Sequence, residues 1–514
     1  MKKERWFNYR PLCLVFGFLV LGSIFAFYCF FDKNNFSSHF MPRTISLITL
    51  LVMIGVNIFF AIRNKSLKLL LVPLISLIVG AGMFSICLLT YNNKNFTPPK
   101  QVSARIYMVE DHGLTQKVYA DNLYFDGIKT KGNIAITIKD TTYQFDNIKV
   151  GQHIKFKPNT FSQLDLLYYN EPTAYYYKAN IRYSAYANIF DIKFENKSNT
   201  LAEIVRNKVK DVLGLGLNNG NTELTYSALF GDKTMLSETS GEAFKLSGTA
   251  HLLAVSGLHV GIVVAIINYI CKKFKIKGWI KVVLVAALLA FYMYLCDFST
   301  SIVRASVMSI VVLIAPLVYR KYDSLSAISF AGIICFILDP LFAFDAGGVM
   351  SFACVFGICF FSNSINKVLS KTKLPQSITQ SLAISSSTLI SLMFILAYYY
   401  KNLNLISLVA NIILIPLFTI GFIICFSAGF LGLICKPLGY LLMPVNYLFD
   451  AIGLISNILG NLPFANFETI QLHYISTVVY MFLLILMSCI TTAKPEHKTM
   501  VILPTVAILF AIML

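Results

Sequence analysis

The sequence predicts a polytopic α-helical membrane protein with one inserted β-rich domain outside the membrane, and three observations carry that prediction. Of the 514 residues, 56% are hydrophobic and only 13% are charged, whereas an ordinary soluble domain is about one-quarter charged. Apolar runs of about 20 residues, the length a helix needs to cross the hydrocarbon core, recur over most of the chain. Between residues 91 and 245 they give way to polar, β-branched and aromatic sequence.

Taken in order, runs at 11–31, 44–62, 67–90, 279–297, 300–318, 324–342, 376–398 and 473–491 have the length and composition of membrane spans. Runs at 249–271, 345–362, 405–434, 438–460 and 499–514 are less regular. They contain Gly, Pro or polar residues, so breaks or re-entrant turns are expected among them. The N-terminus has the basic start of a signal peptide. Its apolar stretch exceeds the roughly 7–15 residues of such a peptide and no small-x-small cleavage site follows, so a retained helix is expected.

Basic residues set the orientation. Lys2, Lys3, Arg5 and Arg10 place the N-terminus in the cytoplasm, and Arg63, Lys65 and Lys68 place the second loop there. The third span then leads outward, which makes residues 91–245 extracytoplasmic. The next span returns to an internal loop bearing Lys272, Lys273, Lys275, Lys277 and Lys281. Much of the net charge of +18 is therefore expected to be a topology signal rather than a nucleic-acid surface. All eleven cysteines lie in or beside apolar runs and none falls between 91 and 245, so the external domain has no internal disulfide.

Thr97-Pro98-Pro99 ends the third span. Beyond it, Val102–Val109, Lys117–Phe125, Asn133–Lys139 and His153–Lys157 read as strands punctuated by Gly127, Gly132 and Gly151. They predict a small antiparallel β-barrel or sandwich. From Leu201 the apolar residues Ile204, Val205, Val209, Val212 and Leu213 recur mostly at helical spacing. The expected organisation is N-terminal helices over 1–90, the β domain over 91–200, an amphipathic helical connector over 201–247 and a membrane domain over 248–514.

The most informative segment is Gly248-Thr-Ala-His251-Leu-Leu-Ala-Val-Ser256-Gly257-Leu-His259-Val-Gly261, where the chain re-enters the membrane. Polar groups at that depth cost several kcal/mol, on the order of the loss of hydrogen bonding to water, unless they face water or partners. Glycines there permit close approach of a backbone or ligand. A packed helix with each histidine satisfied locally is one reading. Ser256 and His259, at i and i+3, also share a helix face as a nucleophile and base would, though no third orienting group stands nearby. His251 and His259 lie about two turns apart, too far to share an ion, and no metal or cofactor is expected.

The string from His251 to His259 resembles the signature of the ComEC family of DNA-internalisation competence proteins. Four further patches agree in order and spacing: Ala228-Leu-Phe-Gly231-Asp232; Arg304-Ala305; Asp339-Pro340 with Asp345 and Ser351-Phe352; and Asn411 with Pro416. The resemblance implies an OB-like external barrel and a helical channel that admits one DNA strand through the bacterial cytoplasmic membrane. It makes His251, Ser256, Gly257, His259, Arg304, Asp345 and Asn411 candidate residues of the DNA path, with Gly231 and Asp232 structural. An OB fold holds single strands with stacked aromatics and a basic groove. The external domain supplies Arg105, Tyr107, Lys117, Tyr119, Lys155 and Lys157, and further tyrosines at 168, 169 and 175–177.

Arg304 sits in an apolar run, where burying it costs about 2.5–3.5 kcal/mol, so a watery path or a carboxylate is expected beside it. Asp297, Asp339 and Asp345 are the candidate partners. Long members of the resembled family end in a metallo-β-lactamase-like domain, which requires an HxHxD cluster. The seven histidines contain none, so a short form without nuclease activity is expected. Gly231-Asp-Lys-Thr lacks the Walker A arrangement. A DNA receptor, a cytoplasmic motor ATPase and a separate nuclease are therefore expected as partners, besides single-stranded DNA and membrane lipid. A small-solute or envelope-precursor transporter and an intramembrane serine hydrolase are the competing readings, and under the leading one the chain is not an enzyme.

Overall fold

In a computed structural model the chain is described over residues 11–30, 68–91, 97–111, 115–130, 132–139, 148, 152–163, 181–195, 200–232, 236, 238–318, 324–340, 346–463 and 465–469. The expected spans at 44–62, 473–491 and 499–514, the tyrosines at 168–177 and Asp345 lie outside these residues.

Helices α1 (Pro11–Phe30) and α2 (Lys68–Tyr91) are continuous apolar segments packed on each other. Their contact requires glycine, since a Cβ on Gly22 would overlap the Leu77 carbonyl and one on Gly80 the Leu19 carbonyl. This is the small-residue packing that brings membrane helices close where no hydrophobic drive exists between them.

The external segment forms one sheet. Its strands are β1 (Val102–Asp111), β2 (Thr115–Phe125), β3 (Ile128–Lys129), β4 (Asn133–Lys139), β5 (His153–Phe156), β6 (Thr160–Gln163), β7 (Ile181–Asn188) and β8 (Ile192–Glu195). The order is β6-β7-β4-β2-β1-β5-β8 with β3 paired to β2. All pairs are antiparallel except β4 with β7. Asp126 and Gly127, both at positive φ, make the tight β2–β3 turn, as an Asp-Gly pair favours. Strand alternation places Ala104, Ile106, Val118, Ala120, Ile134 and Ile136 in one core. That core also takes Phe156 and Ile192 from one end of the strand order and Tyr183 and Ala185 from the other, so the sheet wraps a single interior. Among the described residues the pairing path is open, with no ladder joining β6 to β8.

Three helices follow where one amphipathic connector was expected: α3 (Leu201–Leu213), α4 (Asn219–Phe230) and α5 (Glu238–Leu246). A Thr200–Glu203 capping box starts α3, and Asn218 caps α4 through the Asn221 N–H at 2.8 Å. They are part of the helical body rather than a linker. Val209, Leu213, Leu224 and Phe230 share a core with the later spans, and Gly216 approaches Gly439 so closely that a Cβ would overlap its carbonyl.

The remaining helices are α6 (Gly257–Lys273), α7 (Gly278–Leu295), α8 (Thr300–Ile314), α9 (Ser324–Leu338), α10 (Ala346–Gly357), α11 (Asn363–Leu369), α12 (Gln376–Tyr400), α13 (Ser407–Leu431) and α14 (Val445–Gly460). Two three-residue strands, β9 (Asn402–Asn404) and β10 (Asn466–Glu468), pair antiparallel. Four segments among the described residues are long and apolar enough to cross a bilayer: Gly278–Leu295, Gly347–Leu369, Gln376–Tyr400 and Ser407–Leu431. A fifth arises if the pair Lys436–Leu442 and Val445–Gly460, bent by 46°, is one span. The chain is a multi-pass membrane protein, mostly helical among the described residues, with an eight-stranded sheet and the short β9–β10 pair.

Two of the irregular runs are less broken than expected. The run at 405–434 is one helix that accommodates Pro416 internally, and a π-turn at Ile358–Ser362 carries α10 into α11 without interruption. Among the described residues, the breaks in these runs are at 250–256, before α6, and at the bend before α14.

Candidate functional site

The site is built around the break before α6. Gly248 has φ +73°, and a Cβ there would stand 2.7 Å from Ser407 Cβ and 2.8 Å from Asn404 Cγ. Only glycine satisfies both the left-handed backbone and that contact. Asn404 of β9 donates from Nδ2 to the Leu246 carbonyl and to Asn466 Oδ1 of β10 at 2.9 Å, while its own Oδ1 accepts the Ser407 N–H at 3.1 Å. The short β9–β10 ladder thus clamps the turn. On its other side, Ser227 of α4 donates to the Leu253 carbonyl at 3.0 Å. Gly231, at φ +80°, ends α4 by bonding its N–H to the Ser227 carbonyl, and a Cβ there would stand 3.3 Å from Val255 Cγ2. The Gly231-Asp232 patch and the His251–His259 string, separate in sequence, are therefore one contact, and Gly231 acts as helix terminator.

Within the string the two histidines part company. His251, in the single 3-10 turn Ala250–Leu252, is exposed. His259 is fully buried. Its Nδ1 accepts the Ser256 N–H at 3.0 Å, with Ser256 Oγ 3.3 Å from the same nitrogen. Its ring lies 4.5 Å from that of Phe422 and 5.8 Å from that of Phe418. Ser256 and His259 thus cap the start of α6, an arrangement that satisfies the helix's first orphan donors.

The opposite face of α6 is made of Gly257, Gly261 and Ala265, all exposed. Nothing lies within 4 Å of where a Cβ on Gly257 or Gly261 would stand. Gly17, Gly82 and Gly453 of other helices are likewise open, whereas a Cβ on Gly332 would meet the Phe16 ring at 2.6 Å, and one on Gly421 the Phe449 ring at 2.9 Å. Helix α8 packs against α6, α9 and α10 and carries Arg304, which is only 5% exposed and donates to the Gly347 carbonyl at 2.9 Å. Asn411 of α13 is half-buried, and its Oδ1 has no hydrogen-bond partner among the described residues.

Asp297, an expected partner of Arg304, is engaged elsewhere. It accepts from Arg206 at 2.6 Å and stands 3.8 Å from Arg105. Arg105 in turn binds Asp121 through two nitrogens, at 2.9 and 2.7 Å, and Glu203 at 3.3 Å. The Asp121 hydrogen bond holds the Arg105 guanidinium charged, raising its pKa against the burial that opposes the charge. For Arg206, burial disfavours the charge and the Asp297 hydrogen bond and carboxylate outweigh it, so its pKa is raised too. Arg105 and Tyr119, expected on a DNA-binding face, are instead 9% and 2% exposed, because the outer face of β1 and β2 is itself covered at its centre. Tyr107 is half-buried 6.4 Å from Tyr119, and the Lys117 ammonium lies 5.5 Å from the Tyr119 ring. Lys155 is half-buried and Lys157 exposed.

The family profile described as "Competence protein" matches residues 228–494, more than half of the chain. The chain belongs to the competence-protein family. Its members include ComE operon protein 3 of Bacillus subtilis (strain 168), to which the chain is similar at 31% identity over 199 residues, 39% of this chain and 25% of the relative. An uncharacterized protein of Aquifex aeolicus (strain VF5) is 29% identical over 166 residues, 31% of this chain and 37% of that relative. The chain thus spans little more than a third of either relative's length at most. No solved structure matches it. The matched region takes in the Gly231 patch, the His251–His259 string, Arg304 and Asn411.

Proposed function

We propose that the chain passes single-stranded DNA across the bacterial cytoplasmic membrane during natural transformation, as a conduit rather than a catalyst. The observation that carries the reading is the open space beside Gly257 and Gly261 at the head of α6. A helix face turned to lipid gains from large apolar side chains, whereas a stripe of glycine and alanine headed by the exposed His251 imidazole suits a hydrated passage. Arg304, bound to a backbone carbonyl on the neighbouring α10, supplies a buried positive charge near that route.

In this reading the N-terminus is cytoplasmic and the sheet domain extracytoplasmic. The domain acts as an OB-like receiver whose Lys117, Lys155 and Lys157 attract the phosphate backbone and whose Tyr107 offers a stacking surface. The passage then runs past His251, Ser256, Gly257, Arg304 and Asn411, with Asp345, outside the described residues, a further candidate of the path. A DNA receptor, a motor ATPase and a nuclease act as separate partners. The direct test is the fate of labelled DNA in a strain deleted for this chain: entry into the cytoplasm at the normal rate refutes the proposal, and arrest of the label outside the membrane supports it.

A further inference from the structure

The Arg105–Asp297–Arg206 cluster has no part in the path just described, yet it joins three regions distant in sequence. Arg105 belongs to β1 of the sheet domain, Glu203 and Arg206 to α3, and Asp297 to the turn between α7 and α8. Both arginines are 9% exposed, with partners at 2.6–3.8 Å. Arg206 also donates to the Leu295 carbonyl at 3.2 Å, closing the end of α7.

The turn that Asp297 occupies is strained. Asp297 and Phe298 both have φ +50°, two successive side-chain-bearing residues in the left-handed region that favours glycine. The Phe298 side chain is exposed, and the turn's local ties are backbone bonds, from the Phe298 N–H to the Met293 carbonyl at 2.8 Å and from the Asp297 N–H to the Tyr294 carbonyl at 3.3 Å. A conformation of this kind persists only where its surroundings over-determine it, and two buried guanidinium groups on the Asp297 carboxylate provide that constraint. Two residues later α8 begins, and α8 positions Arg304 against Gly347.

We infer that Asp297 is a positioning residue: clasped by Arg105 and Arg206, it transmits the seating of the sheet domain to α8 and so sets the place of Arg304 in the passage. The inference rests on the conduit reading for its functional half and on geometry alone for its structural half. Asp297 is half-exposed, but removing its charge leaves the buried Arg206 guanidinium without its carboxylate partner, so the turn relaxes even when the change is isosteric.

The test uses the full chain in nanodiscs and in cells, with variants Asp297→Asn, Asp297→Gly and Arg105→Gln. Hydrogen exchange of the amides at 297–303 reads the turn without DNA, and uptake of labelled DNA reads the function. Asp297→Asn is expected to speed that exchange at least ten-fold and to lower uptake at least ten-fold, with surface DNA binding unchanged. Arg105→Gln, made on the sheet domain, is expected to speed exchange at 297–303 as well, which a residue acting only within its own domain would not do. Asp297→Gly relieves the backbone strain while removing the clasp. If it restores wild-type exchange and uptake, the carboxylate merely offsets local strain and the inference is overturned. Unchanged exchange in Asp297→Asn and Arg105→Gln overturns it also, as does faster exchange with normal uptake. Should the wild-type chain itself import no DNA, the conduit reading and the functional half fall together, while exchange still decides the clasp.

Discussion

Replacing Gly261 by leucine separates a water-filled passage from a lipid-facing groove. Gly261 lies inside α6, is exposed and has no atom within 4 Å of where a Cβ would stand. Glycine in a helix interior is about 1 kcal/mol less favourable than alanine, and leucine is close to alanine. With no clash to oppose it, Gly261→Leu should stabilise the fold by about 1 kcal/mol, roughly a five-fold gain in the folded-to-unfolded ratio. The same change at Gly421, where the Phe449 ring would stand 2.9 Å from the new Cβ, should destabilise by about 1–3 kcal/mol through overpacking. If the open space beside Gly261 is the route of the DNA strand, the isobutyl group obstructs it. Gly261→Leu should then be a more stable protein that imports labelled DNA at least ten-fold less well. The assay is thermal unfolding of purified protein paired with uptake in cells expressing equal amounts. Normal uptake with raised stability means that α6 turns this face to lipid and refutes the passage. Lowered stability means that the space is already filled.

Three further changes probe neighbouring parts of the site. Arg304→Ala removes the 2.9 Å bond to the Gly347 carbonyl, a charged hydrogen bond contributing about 1.5–3 kcal/mol, and should impair internalisation while leaving surface DNA binding intact; loss of both in a stably folded variant contradicts a role confined to the passage. Ser256→Ala keeps the backbone bond from Ser256 to His259 Nδ1 and should retain uptake. Complete loss together with labelling of the wild type by a serine-directed probe would favour an intramembrane hydrolase instead. Gly248→Ala, facing both φ +73° and the Ser407 contact at 2.7 Å, should cost more than about 1 kcal/mol in thermal unfolding; a neutral result would mean that the β9–β10 clamp is looser than its hydrogen bonds indicate.

The membrane character, the position of the inserted domain and four of its strands are legible in the sequence, because hydropathy length and period-two alternation act locally. Strand β7 escapes that reading because its inward positions include Ala185 and Ala187, whose small side chains give little apolar contrast. Helix α4 escapes it for a related reason. Thr222, Thr225 and Ser227 are buried among the spans, so its polar composition imitates a connector while its surroundings make it core. In the site, the motif strings locate the turn at Gly248, but not which polar group satisfies which. Asp297 was an expected partner for Arg304, and only tertiary geometry places it with Arg206 and Arg105, residues 91 and 192 positions away in sequence. A buried charge announces in sequence that it needs a partner, and many chain positions can supply one.

The same limit redraws the sheet domain's contribution. Composition alone counts Arg105 with Lys117, Lys155 and Lys157 as one basic surface, yet Arg105 is neutralised by carboxylates and Tyr119 is covered. Of the cations that remain outward, Lys155 pairs in register with Lys193 at the β5–β8 edge and Lys157 follows exposed, while Lys100, Lys129 and Lys139 are exposed elsewhere on the domain. Like charges set opposite each other across two strands repel, by a fraction of a kcal/mol to about 1 kcal/mol. Under the proposed function, a phosphate backbone at this edge would relieve that repulsion. The covered centre, fastened through Arg105, holds the domain against the helices that follow it.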